Sequence, residues 1–471
     1  MSAADASNGE AFGDLFDPRH IVVVGASDDP DNIGARFVRG LQRARFPGRI
    51  SVVHPRAQQV SGLPTYGDLK ACPVPVDHVV VAVSRERVAP VLADAVAVGA
   101  RSVHVFSGGF AEDVDLRGHE LQAALIRLVR GTPTRLIGPN CMGMHHPARG
   151  ITFRDDLPVE AGPLGIVSQS GGVSIAAIRL ASRIGIGTSL AFSYGNGADF
   201  GLVDAVRHLA NDGETRAIAV YLESANDPGL GDALEKALAC KPVVVWPGGT
   251  SPRSAWAARR HTGAPGGLLR AEDLPSGCIV VDRLEDFVQV PAALCVAATL
   301  PGPRIAFASI SGGTCVVFAA MCERERLPLA SLAAATRDKL AAIYRMPSAI
   351  LDSPIDLGGP GFLSRGRLRP LFQMLAADAD VDTIVFHLAW DYVREVDGRM
   401  PGYSDSYLEA VIQAATSATV PVLVYFPAVD DDPTDPPARR RLWAAGIPVF
   451  EPAEQIARFI RSTTATRPSG G

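Results

Sequence analysis

The sequence predicts an α/β protein built as three successive doubly wound layers. Three observations carry that prediction: short continuous runs of β-branched and apolar residues, Ala/Leu-rich helical patterns between them, and Gly- or Ser-bearing turns where a run gives way to a helix. Runs that are apolar throughout indicate strands buried on both faces, and the helical patterns between them make right-handed βαβ crossovers.

The elements follow in order. HIVVVGAS (20–27), RISVVHP (49–55), VDHVVVAV (76–83), RSVHVFS (101–107) and TRLIGPN (134–140) form one Rossmann-like domain over 14–147. A second series, placed at 148–300, opens with PLGIVSQSGG (163–172) and continues through GTSLAFSYGN (187–196), RAIAVYLES (216–224), KPVVVWPGG (241–249) and CIVV (278–281). The Pro/Gly-bearing ATLPGP (298–303) reads as the linker to a third series at 301–463. That series holds RIAFASISGG (304–313), DTIVFHLAW (382–390), VPVLVYFPA (420–428) and IPVFEP (447–452). The second and third series each open as strand–Ser-Gly-Gly–helix, so they read as two copies of a flavodoxin-like unit. Residues 1–13 and 464–471 read as loose tails.

Composition narrows the classes of function. Aromatics at 6% suit α/β layers better than an aromatic-rich sandwich. A net charge of −5 and a pI near 6.1 argue against a general nucleic-acid surface. Cys72, Cys141, Cys240, Cys278, Cys295, Cys315 and Cys322 show no C-x-x-C spacing and are odd in number, so they read as reduced thiols rather than a disulfide or zinc framework. The amino terminus lacks a basic region followed by an apolar run, and no stretch of about twenty unbroken apolar residues occurs. A cytoplasmic protein without a membrane span or a metal site is expected.

Three turns carry candidate chemistry. In GASDDPDNIGARF (25–37), Gly25 allows a tight turn and Gly34 lets the next helix begin close to a bound anion. The pattern is not G-x-G-x-x-G. His54-Pro55-Arg56 stands where a dinucleotide fold places a ribose-binding acid, and a cation there favours a phosphorylated ribose, as in NADP or coenzyme A. A purely structural βα turn is the alternative. SQSGG (168–172) and SISGG (309–313) each end a strand and open a helix with small residues and free N–H donors. One such turn is compatible with simple N-capping; two suggest helix dipoles aimed at one phosphoryl group.

The fourth feature is ARRHTGAPGG (258–267), a histidine followed by small residues and read as a flexible loop. A surface histidine without a role is the plain alternative. Thr262, Gly263, Gly266 and Gly267 permit a backbone that closes round a phosphate. A nucleophilic imidazole needs one ring nitrogen held by a partner so that the other presents its lone pair. Glu223, at the carboxyl end of the AIAVYLES strand and so at the ligand-binding edge of a parallel sheet, is the candidate partner.

With these residues in hand, the chain resembles the nucleoside-diphosphate-forming acyl-CoA synthetase superfamily over about residues 14–462. The marks are VVVGASDDPDNIG, FSGGFAE (106–112), GPNCMG (138–143), SQSGG, SYGNGADF (193–200), YLES and HTGAPGG. The resemblance implies an α-type subunit with a Rossmann-like CoA-binding domain and two flavodoxin-like ligase domains. It implies a three-step reaction through acyl phosphate and phosphohistidine, with His261 phosphorylated and Glu223 orienting it. It implies that Ser170-Gly171-Gly172 and Ser311-Gly312-Gly313, together with Thr262 and Gly263, handle phosphate. Gly25, Ser27, Gly34, Pro55, Arg56, Ser107, Gly108 and Asn140 would line the coenzyme A site, with Cys141 near its thiol end. Nucleotide (ATP/ADP, with Mg2+) is expected on a separate ATP-grasp β-type subunit, because only a tail follows the third series. The substrate implied is a small carboxylic acid or its acyl-CoA, and the assembly a hetero-oligomer.

Four residues depart from the family pattern: Pro247 for a lysine, Arg260 for the serine before the histidine, Met321 for an aspartate, and Ser353 for an asparagine. Of these, Pro247 and Met321 motivate an alternative, a non-catalytic CoA-binding regulatory protein of the same fold. An NAD(P)-dependent oxidoreductase is disfavoured by the missing G-x-G-x-x-G and ribose acid.

Overall fold

The computed structural model describes residues 15–113, 115–224, 227–262, 268–297, 300–344, 350–358, 365–427 and 435–464. The first sheet contains β1 (His20–Val24), β2 (Arg49–Val53), β3 (Gln59–Val60), β4 (Leu63–Tyr66), β5 (His78–Val81), β6 (Ser102–Val105) and β7 (Arg135–Ile137). Its order is β3-β4-β2-β1-β5-β6-β7. Apart from the antiparallel β3–β4 pair, neighbours run parallel. Without β3 this is the 3-2-1-4-5-6 order of a dinucleotide-binding fold, whose ligand crevice lies where the order reverses, between β1 and β5. Every residue of β1, β5 and β6 is buried, which is why their sequences do not alternate. The polar residues in this layer are paired: His78 Nδ1 meets Ser102 Oγ at 2.8 Å, and His104 Nε2 meets the Cys141 carbonyl at 3.0 Å. Burial lowers the two imidazoles to about 3 and about 4, so both are neutral.

The second sheet contains β8 (Gly143–His145), β9 (Ala161–Ser168), β10 (Thr188–Ser193), β11 (Ala217–Leu222), β12 (Val243–Pro247) and β13 (Ile279–Val280), in the order β13-β12-β11-β9-β10-β8. The five parallel strands β9–β13 give the flavodoxin order 2-1-3-4-5. The sixth strand, β8, is an antiparallel edge. By strand pairing, therefore, the chain leaves the first sheet after Ile137 and has joined the second by Gly143. Phe16, Phe192 and Phe200 meet edge-on at 5.6–5.8 Å and close the core beneath β10.

The third sheet contains β14 (Ile305–Ser309), β15 (Ile355–Asp356), β16 (Thr383–His387), β17 (Val422–Tyr425) and β18 (Val449–Phe450). Its order, β15-β14-β16-β17-β18, is again 2-1-3-4-5 with all pairs parallel. The two flavodoxin-like units expected from the repeated strand–Ser-Gly-Gly–helix pattern thus share one topology. The molecule divides into two compact units, the first and second sheets in one and the third in the other. The second unit takes Arg183–Ile186 and everything from Ala292, which lies inside the Leu284–Val296 helix. Of the linker expected at 298–303, residues 298–299 lie outside the described residues. Among the described residues no helix is long and apolar enough to cross a membrane.

Candidate active site

The first βα turn is built as its glycines require. Gly25 has φ +99°, and a Cβ there would come within 2.3 Å of the Ala82 carbonyl oxygen. A Cβ at Gly34 would meet Ala26 backbone at 2.7 Å, so the Ile33–Arg43 helix packs directly on the turn. Asn32 caps that helix: its Oδ1 accepts from Ala35 N at 2.8 Å and Ser27 N at 3.2 Å, and its Nδ2 donates to the Gly25 carbonyl at 3.2 Å.

A cavity of about 340 Å³ opens at the carboxyl edge between β1 and β5, lined by residues including Asn32, Ser84, Arg85, Ser107 and Gly108. This is where the reversal of strand order puts a ligand. Ser107 and Gly108 are therefore in the wall, and Gly25, Ser27 and Gly34 shape the adjoining turn. Pro55 and Arg56 are exposed beyond β2 and are not in the cavity lining; there His54 Nδ1 accepts from Arg56 N and Ala57 N at 3.1 and 2.7 Å. Cys141 is buried, its thiol donating to the Val105 carbonyl at 3.7 Å and pushed well above its ordinary pKa by burial. It presents no thiol to the cavity. Asn140, with φ +57°, donates its backbone N–H to Ser107 O at 3.0 Å and its Nδ2 to the His261 carbonyl at 3.5 Å.

His261 corrects one expectation. It does not lie in an irregular loop but in the last turn of the Pro252–Thr262 helix, beside Arg259 and Arg260. The helix starts with a proline in its first turn and is rich in Ala and Arg, which favour helix, and cations suit its carboxyl end. Ala255 and Ala258 are its buried contacts. Gly263, and with it Gly266 and Gly267, lies outside the described residues; Thr262 closes the helix.

The imidazole meets its expected partner. Nδ1 of His261 lies 2.9 and 3.0 Å from the two oxygens of Glu223. Glu223 follows β11 and is 6% exposed, whereas the His261 side chain is 51% exposed. The carboxylate is itself held. Tyr221 OH donates to Oε1 at 3.2 Å, and the Glu223 backbone N–H donates to Gln169 Oε1 at 2.9 Å. Gly248 and Gly249 make room for it, since a Cβ on either would fall 2.8 Å from Tyr221 OH and 2.6 Å from Glu223 O, respectively. The hydrogen bond that His261 donates to Glu223 raises the His261 pKa above its ordinary value; partial burial opposes the rise, and the charges of Glu223 and Glu112 add to it. With Nδ1–H donated to the carboxylate, the neutral ring carries its lone pair on Nε2, the form a nucleophile needs.

The two Ser-Gly-Gly turns repeat one hydrogen-bond pattern. Ser168 Oγ accepts from Ser170 N at 3.2 Å and donates to Ser170 O at 2.8 Å, and Ser170 Oγ accepts from Val173 N at 3.4 Å. In the other unit Ser309 Oγ accepts from Ser311 N at 2.9 Å and lies 3.3 Å from Ser311 O, and Ser311 Oγ accepts from Thr314 N at 3.2 Å. The helices Gly171–Arg183 and Gly312–Arg324 begin there. A Cβ at Gly171 would meet the Met142 side chain, and one at Gly312 the Asp356 carboxylate, each at 2.7 Å.

The four departures have structural places. Pro247 ends β12 opposite Leu222. The Arg260 guanidinium lies over the Trp256 ring, 5.4 Å from its centroid. Met321 is a buried residue of its helix. Ser353 Oγ donates to Ile305 O at 3.0 Å and accepts from Phe307 N at 3.1 Å.

Sequence reasoning missed Asn32, Arg85, Gln169, Tyr221, Glu112 and Asn196. Asn32 carried a signal as the N-cap before a helical pattern, and Glu112, Gln169 and Asn196 each sit in a quoted motif. Glu112 accepts from Gly109 N at 2.6 Å, Phe110 N at 3.2 Å and Asn196 Nδ2 at 2.6 Å. Among the described residues no group of three His, Cys, Asp or Glu side chains is placed to hold a metal ion.

Comparison with known proteins agrees with this architecture. A CoA binding domain family matches residues 19–147, and a family described as succinyl-CoA ligase like flavodoxin domain matches 161–294. The alpha subunit of acetate–CoA ligase [ADP-forming] II from Pyrococcus furiosus is 27% identical, with 94% of this chain and 95% of that protein covered. Acetate–CoA ligase [ADP-forming] I from Archaeoglobus fulgidus is 30% identical over 79% of this chain, which spans about half (54%) of that longer protein. A solved structure from Candidatus Korarchaeum cryptofilum, a dinucleotide forming acetyl-coenzyme A synthetase 1 in complex with phosphate and ADP, is 25% identical and superimposes with a TM-score of 0.78 over 97% of this chain and 96% of that one. On its two matched domains, its sheet orders and these relatives, the chain belongs to the nucleoside-diphosphate-forming acyl-CoA synthetase superfamily.

Proposed function

We propose that this chain is the α-type subunit of an ADP- or GDP-forming acid–CoA ligase, in which His261 carries the phosphoryl group between an acyl phosphate and a nucleotide. The observation that carries the reading is the contact of His261 Nδ1 with both oxygens of buried Glu223, which leaves Nε2 as the nucleophilic atom. In the degradative direction a phosphate oxygen attacks the thioester carbonyl of an acyl-CoA, the C–S bond breaks, and CoA leaves. Nε2 then attacks phosphorus, the bond to the acyl oxygen breaks, and the carboxylic acid departs. A terminal oxygen of ADP or GDP finally attacks the phosphohistidine, the P–N bond breaks, and its electron pair returns to Nε2.

Each group has a part in that sequence. Glu223 fixes the tautomer and balances the positive charge the ring acquires while phosphorylated. In the unit that carries His261, the helix start at Ser170-Gly171-Gly172 offers N–H donors and a positive dipole end to phosphate, with Thr262 and Gly263 following the histidine; the start at Ser311-Gly312-Gly313 repeats those donors in the other unit. The cavity at the β1–β5 switch point would take part of coenzyme A: Ser107 and Gly108 supply a wall without bulk, and Gly25, Ser27, Gly34 and Asn140 shape its surroundings. Arg85, also in the lining, adds the cation that phosphates need. The nucleotide, with its Mg2+, belongs to an ATP-grasp β-type partner, a reading supported by the Pyrococcus relative that matches almost end to end and is itself named a subunit alpha.

The test combines the chain with its ATP-grasp partner, magnesium and ATP labelled on the terminal phosphate. Acid-labile, base-stable label is expected on this chain and is absent in His261→Asn. A native pair that binds CoA and nucleotide yet stays unlabelled would leave only the regulatory alternative.

A further inference from the structure

The loop that follows β6 carries two adjacent glycines: Gly109 is bonded to Arg85 and Glu112, and Gly108 lies against Glu112 and Asn140, the latter reaching the His261 carbonyl. Gly109 donates its N–H to Glu112 Oε1 at 2.6 Å, and its carbonyl accepts from Arg85 Nη1 at 2.9 Å. Arg85 lines the cavity and also pairs with Asp113 at 2.8 Å. Gly109 has φ +91°, and a Cβ there would strike the Arg85 side chain at 2.8 Å, so only glycine lets the arginine lie against this peptide. On the far side Glu112 also takes Phe110 N and Asn196 Nδ2. Its neighbour Gly108, which does line the cavity, is wedged against two side chains. A Cβ on it would lie 3.0 Å from Glu112 Oε1 and 3.2 Å from Asn140 Oδ1, and Asn140 reaches the His261 carbonyl.

We propose that Glu112 is a positioning residue for His261, and that the Gly109 peptide held between Glu112 and Arg85 relays occupancy of the cavity to the imidazole. A phosphate-bearing ligand that draws Arg85 toward itself loosens the Gly109 carbonyl, and Glu112 is bonded to the same residue. The relay rests on the reading of the cavity as a coenzyme A site and of His261 as the working histidine. It adds a second carboxylate with a different duty. Glu223 grips Nδ1 directly, whereas Glu112 acts from the cavity side through its charge and its loop. The charge of Glu112 is felt at His261 in the direction that favours the protonated ring. The ionisable neighbours to be held in view are Glu223, with Tyr221 hydrogen-bonded to it, and Arg259 and Arg260 on the histidine's own helix.

The experiment follows the ring resonances of His261 in the full native chain labelled with 15N-histidine, assigned by their loss in His261→Asn. CoA binding is measured separately by calorimetry. In the native chain CoA is expected to move the His261 signals; in Glu112→Gln the titration midpoint of His261 falls and the CoA-induced movement shrinks at least about twofold. Asn196→Ala, which frees one of the groups holding Glu112, gives the same loss of response if Glu112→Gln does not fold. An unchanged midpoint and an undiminished CoA response in a folded Glu112→Gln chain, or an undiminished response in Asn196→Ala if that variant is needed, overturn the relay. So does CoA binding that leaves native His261 unmoved. A native chain that does not bind CoA at all removes instead the reading of the cavity, and the relay with it.

Discussion

The second and third sheets share a strand order and a Ser-x-Ser-Gly-Gly turn, yet differ at the ends of the strands beside it. Tyr221 pairs with Ser168 across β11 and β9, and Ala308 pairs with Phe386, which puts His387 beside Ser309 in the corresponding place. Two residues beyond Tyr221 stands Glu223; two beyond His387 stands Ala389. In the second sheet the strand end therefore offers a carboxylate to His261. In the third it offers none, and His387 Nδ1 instead meets Ser309 Oγ at 2.9 Å. Burial brings His387 down to about 4, so it is a neutral hydrogen-bonding group. The Ser-Gly-Gly turn is thus repeated, while among the described residues the strand end beside it is paired with a histidine through a carboxylate in the second sheet and not in the third. On the proposed reading, receiving phosphate and carrying it are separable duties.

The sharpest way to break the comparison is to remove each histidine in turn. His261→Asn is expected to abolish phosphorylation of the chain, whereas His387→Asn keeps it within about tenfold, since it disturbs one buried hydrogen bond. Radiolabel incorporation over time measures both, and equal losses would erase the distinction drawn between the sheets.

A smaller effect is expected from Glu223→Gln. Phosphorylation should slow by about 10²-fold or more, because the tautomer is no longer fixed and the positive ring is no longer balanced. The pH profile should move as well. His261 is held above its ordinary pKa, and only the neutral ring has a free Nε2 lone pair. The native rate therefore rises with pH through that raised midpoint and then levels. In Glu223→Gln the rise shifts to lower pH while the plateau drops.

The two compact units should also part company in acid. In the first, His78 and His145 lie at about 3 and His104 and His208 at about 4; in the second, His387 lies at about 4. Each is depressed by burial, so the unfolded chain takes up a proton near pH 6.5 while the native state refuses it. Stability is full above that pH and declines as pH falls toward about 4, by up to about 1.4 kcal/mol per pH unit for each group. Hydrogen exchange read segment by segment should show protection falling more steeply in the first and second sheets than in the third. Parallel slopes would contradict the burial argument.

The smallest expected effect is at Arg260, whose guanidinium rests on the exposed Trp256 ring. Arg260→Ser should cost at most about 1 kcal/mol of stability, read by chemical denaturation.

How much of this was legible in the sequence depended on whether a feature is local. HIVVV and its counterparts read as strands because burial on both faces leaves no alternation to mistake. The order of elements then fixed three doubly wound layers. Glu223 could be matched to His261 because a carboxylate at the carboxyl end of a parallel strand has a known edge to face. The helix carrying His261 was misread as loop because the glycines after it dominated the reading, although Pro252 and the Ala/Arg content before it favour helix. The strand Gly143–His145 is too short to show any period. Arg85, Glu112 and Asn196 escaped notice because their meeting depends on how loops after different strands converge, which no linear spacing displays.

The central claim is that Glu223 holds Nδ1 of His261 and leaves Nε2 to take phosphate. It is tested most directly by phosphorylating the chain in the presence of its nucleotide-binding partner, keeping it alkaline, and assigning the modified nitrogen by 31P–1H correlation. Phosphate on Nε2 of His261 is the predicted result. Phosphate on Nδ1, or a native chain phosphorylated elsewhere with His261 unmodified, would contradict it.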